Sequence, residues 1–216
     1  MLYKQSKRIT FFKYILLVAS LIQVSSTHTH RAKQPPKNNH IELNIPFISQ
    51  MDQTYLPYTS CVPACVMMML LYRQQNTSVP TPAYKKLCVD LKTSALYGTY
   101  FENVYSYFSQ NNWHYSNAFE NYHDLATSLK QGPITVCIEL KLDVPKFCKP
   151  LFTLIKHVQD YLFGNISHAV VLIGANEQGF IYLDPLYRKR RSNYKKFISY
   201  QEFGERWNGI ACQLLM

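Results

Sequence analysis

The sequence predicts an α+β fold, with a helical first half packed on an antiparallel sheet built from the second. Three observations carry this. Segments of helical period fill much of the stretch from residue 61 to residue 131. Short β-branched runs separated by turn residues follow from Ile134 to the C-terminus. With 47% hydrophobic and 17% charged residues, the 216-residue chain has apolar mass for a single core and does not read as disordered.

The elements follow in order. Ile41 to Ser49 (IELNIPFIS) reads as an extended opening strand, and Pro46 assigns it to an edge because proline cannot donate to a ladder. Gln50 to Ser60 is a loop. Thr59 or Ser60 is placed to cap a helix from Cys61 to Gln75, and Pro63 fits its first turn. Val66, Met67, Leu70 and Leu71 give that helix an apolar face, which makes it central. Residues 82–131 read as helices joined by short loops. Phe101 to Gln110 and Asn121 to Gln131 are the clearest, the second opened by Asn121 with Asp124 and stopped by Gly132-Pro133. Ile134 to Leu140 (ITVCIEL) is a buried strand by its β-branched content. Lys141 to Ser167 is long for a strand connection and carries a helical segment, Leu151 to Phe163. Residues 141–166 therefore read as an insertion, either a lid near the site or a surface elaboration. His168 to Gly174 and Phe180 to Asp184 form a hairpin across Asn176 to Gly179 (NEQG). Ser199 to Glu202 is a capping box that opens a short helix to Trp207, and Ile210 to Leu215 closes the sheet.

Ahead of this domain, residues 1–26 read as an export signal. Lys4, Lys7, Arg8 and Lys13 precede an apolar run, Tyr14 to Val24, with small residues for cleavage after Ser26; an uncleaved anchor is the alternative. Residues 27–40 are a polar linker, and residues 41–216 form the domain. The net charge of +10 is local. Residues 1–40 carry seven basic side chains and no acidic one, and six more cluster between Arg188 and Lys196. That cluster reads as a solvated loop between strands, and no nucleic-acid partner is expected. An exported chain permits disulfides, and Cys88 with Cys148 is the pairing to test; Cys61 and Cys65, one helical turn apart, suit one poorly. No CxxC pair suggests zinc, and no cofactor or metal is expected.

Cys61 opens the central helix, where unpaired N–H groups and the helix dipole favour a thiolate and can hold an oxyanion. His168 begins an apolar strand, and Asp184 ends the next. Taken singly, each has a plain structural reading: a small packed thiol, an imidazole at a strand rim, a turn-starting Asp-Pro. Hairpin geometry brings residues 168 and 184 to the same open end of neighbouring strands. A thiol, an imidazole and a carboxylate are then the parts of an activated cysteine nucleophile.

The segment PFISQMDQTYLPYTSCVPACVMMMLLY resembles the nucleophile region of the papain-like, double-glycine leader (bacteriocin-processing) peptidase family of bacteria. The segment SHAVVLIGANEQGFIYLDP is similar to that family's His strand and Asp-Pro strand, and KQGPITVCIEL and ISYQEFGERW fit beside it. The resemblance covers about residues 43–215 and implies a papain-like fold of the stand-alone exported type. It implies Cys61 as nucleophile, His168 as general base and acid, Asp184 as the residue that orients His168, and Gln50 as an oxyanion donor, with Gln53 as the rival for that last role. Two residues depart from the family pattern. Val62 stands where a small residue usually follows the nucleophile, and Ser167 replaces a common Gly before the His. The expected function is an exported, monomeric cysteine peptidase acting on a peptide or protein, with membrane contact only through an uncleaved N-terminal segment. The alternatives are a non-catalytic binding module on the same fold and a related acyl-transferase or amidase.

Overall fold

The computed structural model describes residues 40–76, 81–140, 167–188 and 192–215. In chain order the strands are β1 (Ile41–Glu42), β2 (Tyr115–Ser116), β3 (Ile134–Glu139), β4 (Ser167–Ala175), β5 (Gly179–Leu183), β6 (Lys195–Ser199) and β7 (Trp207–Leu214). The helices are α1 (Cys61–Arg73), α2 (Thr81–Asp90), α3 (Phe101–Gln110), α4 (Tyr122–Ser128) and α5 (Tyr200–Arg206). The strands form one antiparallel sheet in the order β2-β7-β3-β4-β5-β6, and β1 pairs with the far end of β4. The α+β prediction holds.

Alternation along β4 explains the layers. Ala169, Val171 and Ile173 join a core shared with α1, α2 and α3. Val170 and Leu172 point the other way, into a core shared with α4 and α5. Both faces of the sheet are therefore covered, which is why β4 reads as an unbroken apolar run. On the second face, Phe180 of β5 and Phe203 of α5 meet edge to face, 4.8 Å between centroids. Such a pair adds ~0.5–1.5 kcal/mol beyond burial and fixes α5 on the sheet.

Several expectations need correction. The opening strand is only two residues long: Leu43 N–H still reaches Ile173 O at 2.7 Å, after which the chain leaves the sheet and Pro46 offers no donor. The loop after it contains a 3-10 turn, Gln50–Asp52, capped by the Ser49 hydroxyl. Helix α1 is buried from Val62 through Leu71, so it is apolar all round instead of carrying one apolar face. The basic cluster is only partly a loop, because Lys195 and Lys196 lie in β6. Half of the capping box at Ser199 forms: its hydroxyl accepts from Glu202 N–H at 3.2 Å, while the Glu202 carboxylate turns to Arg206. The box at Asn121 and Asp124 is complete. Cys88 is a free buried thiol, and its proposed partner Cys148 lies outside the described residues. The export signal, the linker up to residue 39 and the 141–166 insertion also lie outside them. Among the described residues, no helix is long and apolar enough to cross a membrane.

Candidate active site

Helix α1 begins at Cys61, and the chemistry of its start depends on Ser60. Ser60 occupies the N-cap position and is fully buried, yet its side chain caps nothing. Its hydroxyl is held instead by the Tyr84 hydroxyl of α2 at 2.9 Å, which also lies 3.1 Å from the Ser60 carbonyl oxygen. The first-turn N–H groups of α1 thereby receive no cap from the Ser60 side chain. The Val62 N–H turns to the Cys61 sulfur, the Ala169 N–H of β4 does the same, and His168 completes the set with a hydrogen bond to the thiol. Burial opposes a thiolate here, but the His168 hydrogen bond and charge, together with the two N–H groups, outweigh it. The Cys61 pKa lies below its ordinary value. One turn deeper, burial holds the Cys65 thiol well above its ordinary value, and the nearby Cys61 and Asp184 add to this. Two cysteines four residues apart are thus pushed in opposite directions.

His168 and Asp184 are 4% and 5% exposed, and His168 Nε2 lies 2.7 Å from Asp184 Oδ1. This contact depends on an irregularity in the hairpin. Next to the turn, Ala175 pairs with Phe180 and Gly174 with Ile181; beyond it, Leu172 pairs with Tyr182 and Val171 with Leu183. Ile173 is an extra residue on β4. Continued one step, the register sets Asp184 opposite Val170, diagonal to His168 and on its face of the sheet. Diagonal neighbours lie within reach of long side chains. Without the bulge, Asp184 would pair with Val171 and point to the opposite face. The bulge carbonyl of Ile173 is the one that accepts from Leu43 N–H, so the irregularity is satisfied by β1's exit.

Asp184 is held on all sides. Oδ1 also accepts from Leu186 N–H at 3.0 Å, and Oδ2 lies 3.3 Å from Lys196 Nζ. Burial opposes its charge, but His168 first, then Leu186 N–H and Lys196, keep its pKa below the usual value. For His168, burial opposes the imidazolium, while the hydrogen bonds with Asp184 and Cys61 outweigh it and raise the pKa to about 9. With Nε2 committed to Asp184, Nδ1 is the ring nitrogen left for Cys61.

Gln50 is buried beside this cluster. Its backbone N–H donates to Pro185 O at 2.9 Å, one residue from Asp184. Its Nε2 donates to Pro57 O at 2.9 Å, and its Oε1 is buried without a partner. Gln53 turns away, donating from Nε2 to Ser49 O at 3.3 Å. Val62 packs into the core on the α1 side of the sheet and is 4% exposed, so its side chain is not standing in an open cleft. Sequence reasoning missed Tyr84 and Lys196. Tyr84 carried no motif. Lys196 was masked by the surrounding cations, although the β-branched and aromatic KFIS that it opens is a strand signal.

Comparison with known proteins gives a consistent result. The Peptidase_C39 like family matches over residues 42–215. No match was found among curated protein sequences. A Bacillus anthracis protein described as a C39-like peptidase superposes with a TM-score of 0.56 at 17% identity, covering 83% of this chain and 98% of that one. The peptidase domain of Streptococcus ComA, a bi-functional ABC transporter involved in quorum sensing, gives 0.51 at 17% identity, covering 82% and 98%. A double glycine motif protease from an AMS/PCAT transporter, solved with its leader peptide, gives 0.50 at 18%, covering 82% and 99%. At these identities the structural likeness speaks for the fold alone.

Proposed function

Because this chain belongs to the Peptidase_C39 like family, we propose that it is an exported cysteine peptidase in which Cys61 is the nucleophile, His168 the general base and acid, and Asp184 the orienting carboxylate. The observation that carries this reading is His168 standing between a thiol and a carboxylate, hydrogen-bonded to Cys61 and 2.7 Å from Asp184.

The chemistry follows from the geometry. The Cys61 thiolate attacks the carbonyl carbon of a peptide bond and forms a tetrahedral oxyanion. The Cys61 backbone N–H and the second Nε2 hydrogen of Gln50, the one not on Pro57 O, stabilise that oxyanion. The His168 imidazolium gives its proton to the leaving amine, and a thioester remains on Cys61. His168 then takes a proton from water, the hydroxide attacks the thioester, and the thiolate is released. The substrate is a peptide or protein, in keeping with the leader peptide bound to the structurally similar double glycine motif protease. Export rests on the sequence of residues 1–26.

A thiol-directed alkylating probe tests the reading. Peptide mapping should show Cys61 labelled selectively below pH 7, and His168→Ala should lose that labelling. Equal labelling of Cys61 and Cys65 would sink it. Product analysis with added amine acceptors separates hydrolysis from acyl transfer.

A further inference from the structure

The Asp184 carboxylate is flanked from both neighbouring strands. On β4, His168 is its diagonal neighbour and takes Oδ1. On β6, the ladder pairs Lys196 with Tyr182, and Asp184 N–H donates to Tyr194 O at 2.8 Å. Lys196 is therefore the diagonal neighbour on the other side, and its Nζ lies 3.3 Å from Oδ2. A second contact pins the ammonium in place: Nζ sits 3.6 Å from the centroid of the Tyr187 ring. Tyr187 belongs to the turn that Asp184 itself begins, since Tyr187 N–H donates to Asp184 O at 3.2 Å. The Lys196 side chain is 28% exposed, while that of Asp184 is 8% exposed.

We propose that Lys196 is a positioning residue of this site: held at the Oδ2 edge of Asp184, its charge moderates the carboxylate's hold on the imidazolium. This rests on the Cys61–His168–Asp184 reading above. Oδ1 is taken by His168 and Leu186 N–H, and the ammonium at Oδ2 shares the negative charge that His168 feels. The other titratable groups around Asp184 are Cys61 and Cys65 from α1, His168 from β4, Tyr182 from β5 and Tyr187 in the turn; Tyr182 in turn feels Arg206 and Glu202 of α5. Lys196 is the lysine among the described residues that pairs with this carboxylate.

The sign of its effect is fixed. Removing the ammonium leaves the carboxylate's attraction for the imidazolium unshared, so His168 keeps its proton to higher pH. The upper inflection of the Cys61 reactivity profile, where the imidazolium gives up its proton, therefore moves upward. For a partly exposed charge the shift is about half a pH unit.

The test is the pH dependence of Cys61 alkylation by iodoacetamide in the full chain, read by peptide mapping, with folding checked by circular dichroism. Lys196→Met should shift the upper inflection up by about half a unit, Lys196→Gln should do the same, and Lys196→Arg should restore the original profile. A low Cys61 midpoint in the unaltered protein, with an upper inflection that stays put or falls in both neutral variants, overturns the role of Lys196 and leaves the peptidase reading standing. An ordinary Cys61 midpoint in the unaltered protein overturns both.

Discussion

Asp184→Asn is the most exacting test of the site. It keeps the shape of the side chain and removes its charge. The size of the effect follows from His168, whose pKa is raised from 6.5 to about 9. At 1.36 kcal/mol per unit this is a preference for imidazolium of about 3 kcal/mol. Burial works against that preference, and the hydrogen bond with Asp184 is the largest contribution overcoming it. An independent figure agrees: unit charges ~4 Å apart at an effective dielectric of ~20 interact by about 4 kcal/mol. Asp184→Asn should therefore lower the His168 midpoint by about two pH units, to near 7. The thiolate–imidazolium pair of the unaltered protein should persist up to about pH 9. In the variant its alkaline limit should fall toward neutrality, and turnover should drop by roughly 10²–10⁴-fold. Stability changes in the same sense. A raised His168 pKa contributes fully below pH 6.5 and is lost as pH rises through about 9, so the variant should lose this dependence. The assay is an NMR titration of the His168 ring carbon, assigned with His168→Gln. A folded Asp184→Asn protein whose midpoint stays near 9 would refute the reasoning.

Two further outcomes are expected. Gln50→Ala should lower kcat by about 10²–10³-fold with little change in KM, as loss of an oxyanion donor does, whereas Gln53→Ala should change either by about twofold or less. Steady-state kinetics on any cleaved peptide distinguishes the two residues, and a larger loss with Gln53→Ala would reverse their roles. Gly179→Ala should destabilise the fold by about 3 kcal/mol, measured by denaturant unfolding, because a Cβ there would stand 2.0 Å from Ile198 O and 2.8 Å from Ser199 Cα. Both obstacles are backbone atoms, so neither moves cheaply, and a loss under about 1 kcal/mol would show that the β5–β6 pairing relaxes easily.

What the sequence disclosed and what it withheld divide along physical lines. Local signals were legible. Phe101–Gln110 begins and ends where its pattern places it, Asn121 and Asp124 form their box, and Gly132 ends the segment at φ 143°. The apolar run of β4 announced a strand, and the structure shows it buried on both faces. The candidate site residues were legible because each sits at the end of a recognisable element. Non-local contacts were not legible. Ser60 has the composition of a helix cap, and only the packing of α2 shows that Tyr84 claims its hydroxyl. Lys196 sits in a run of cations whose charge pattern suggests solvent, while the ladder with Tyr182 turns it toward Asp184. The hairpin reading placed residues 168 and 184 at one end, but nothing in the letters marks Ile173 as the residue that brings them to one face.

That extra residue also governs how this interval tolerates insertions and deletions. Deleting it, with the turn and the pairs beside the turn kept, shifts every pair beyond it by one and sends the carboxylate to the far side of the sheet. A residue added in the turn itself can be taken up as a longer loop and leaves the site in place. Tolerance to a change of length is therefore set at Ile173 and not at the turn.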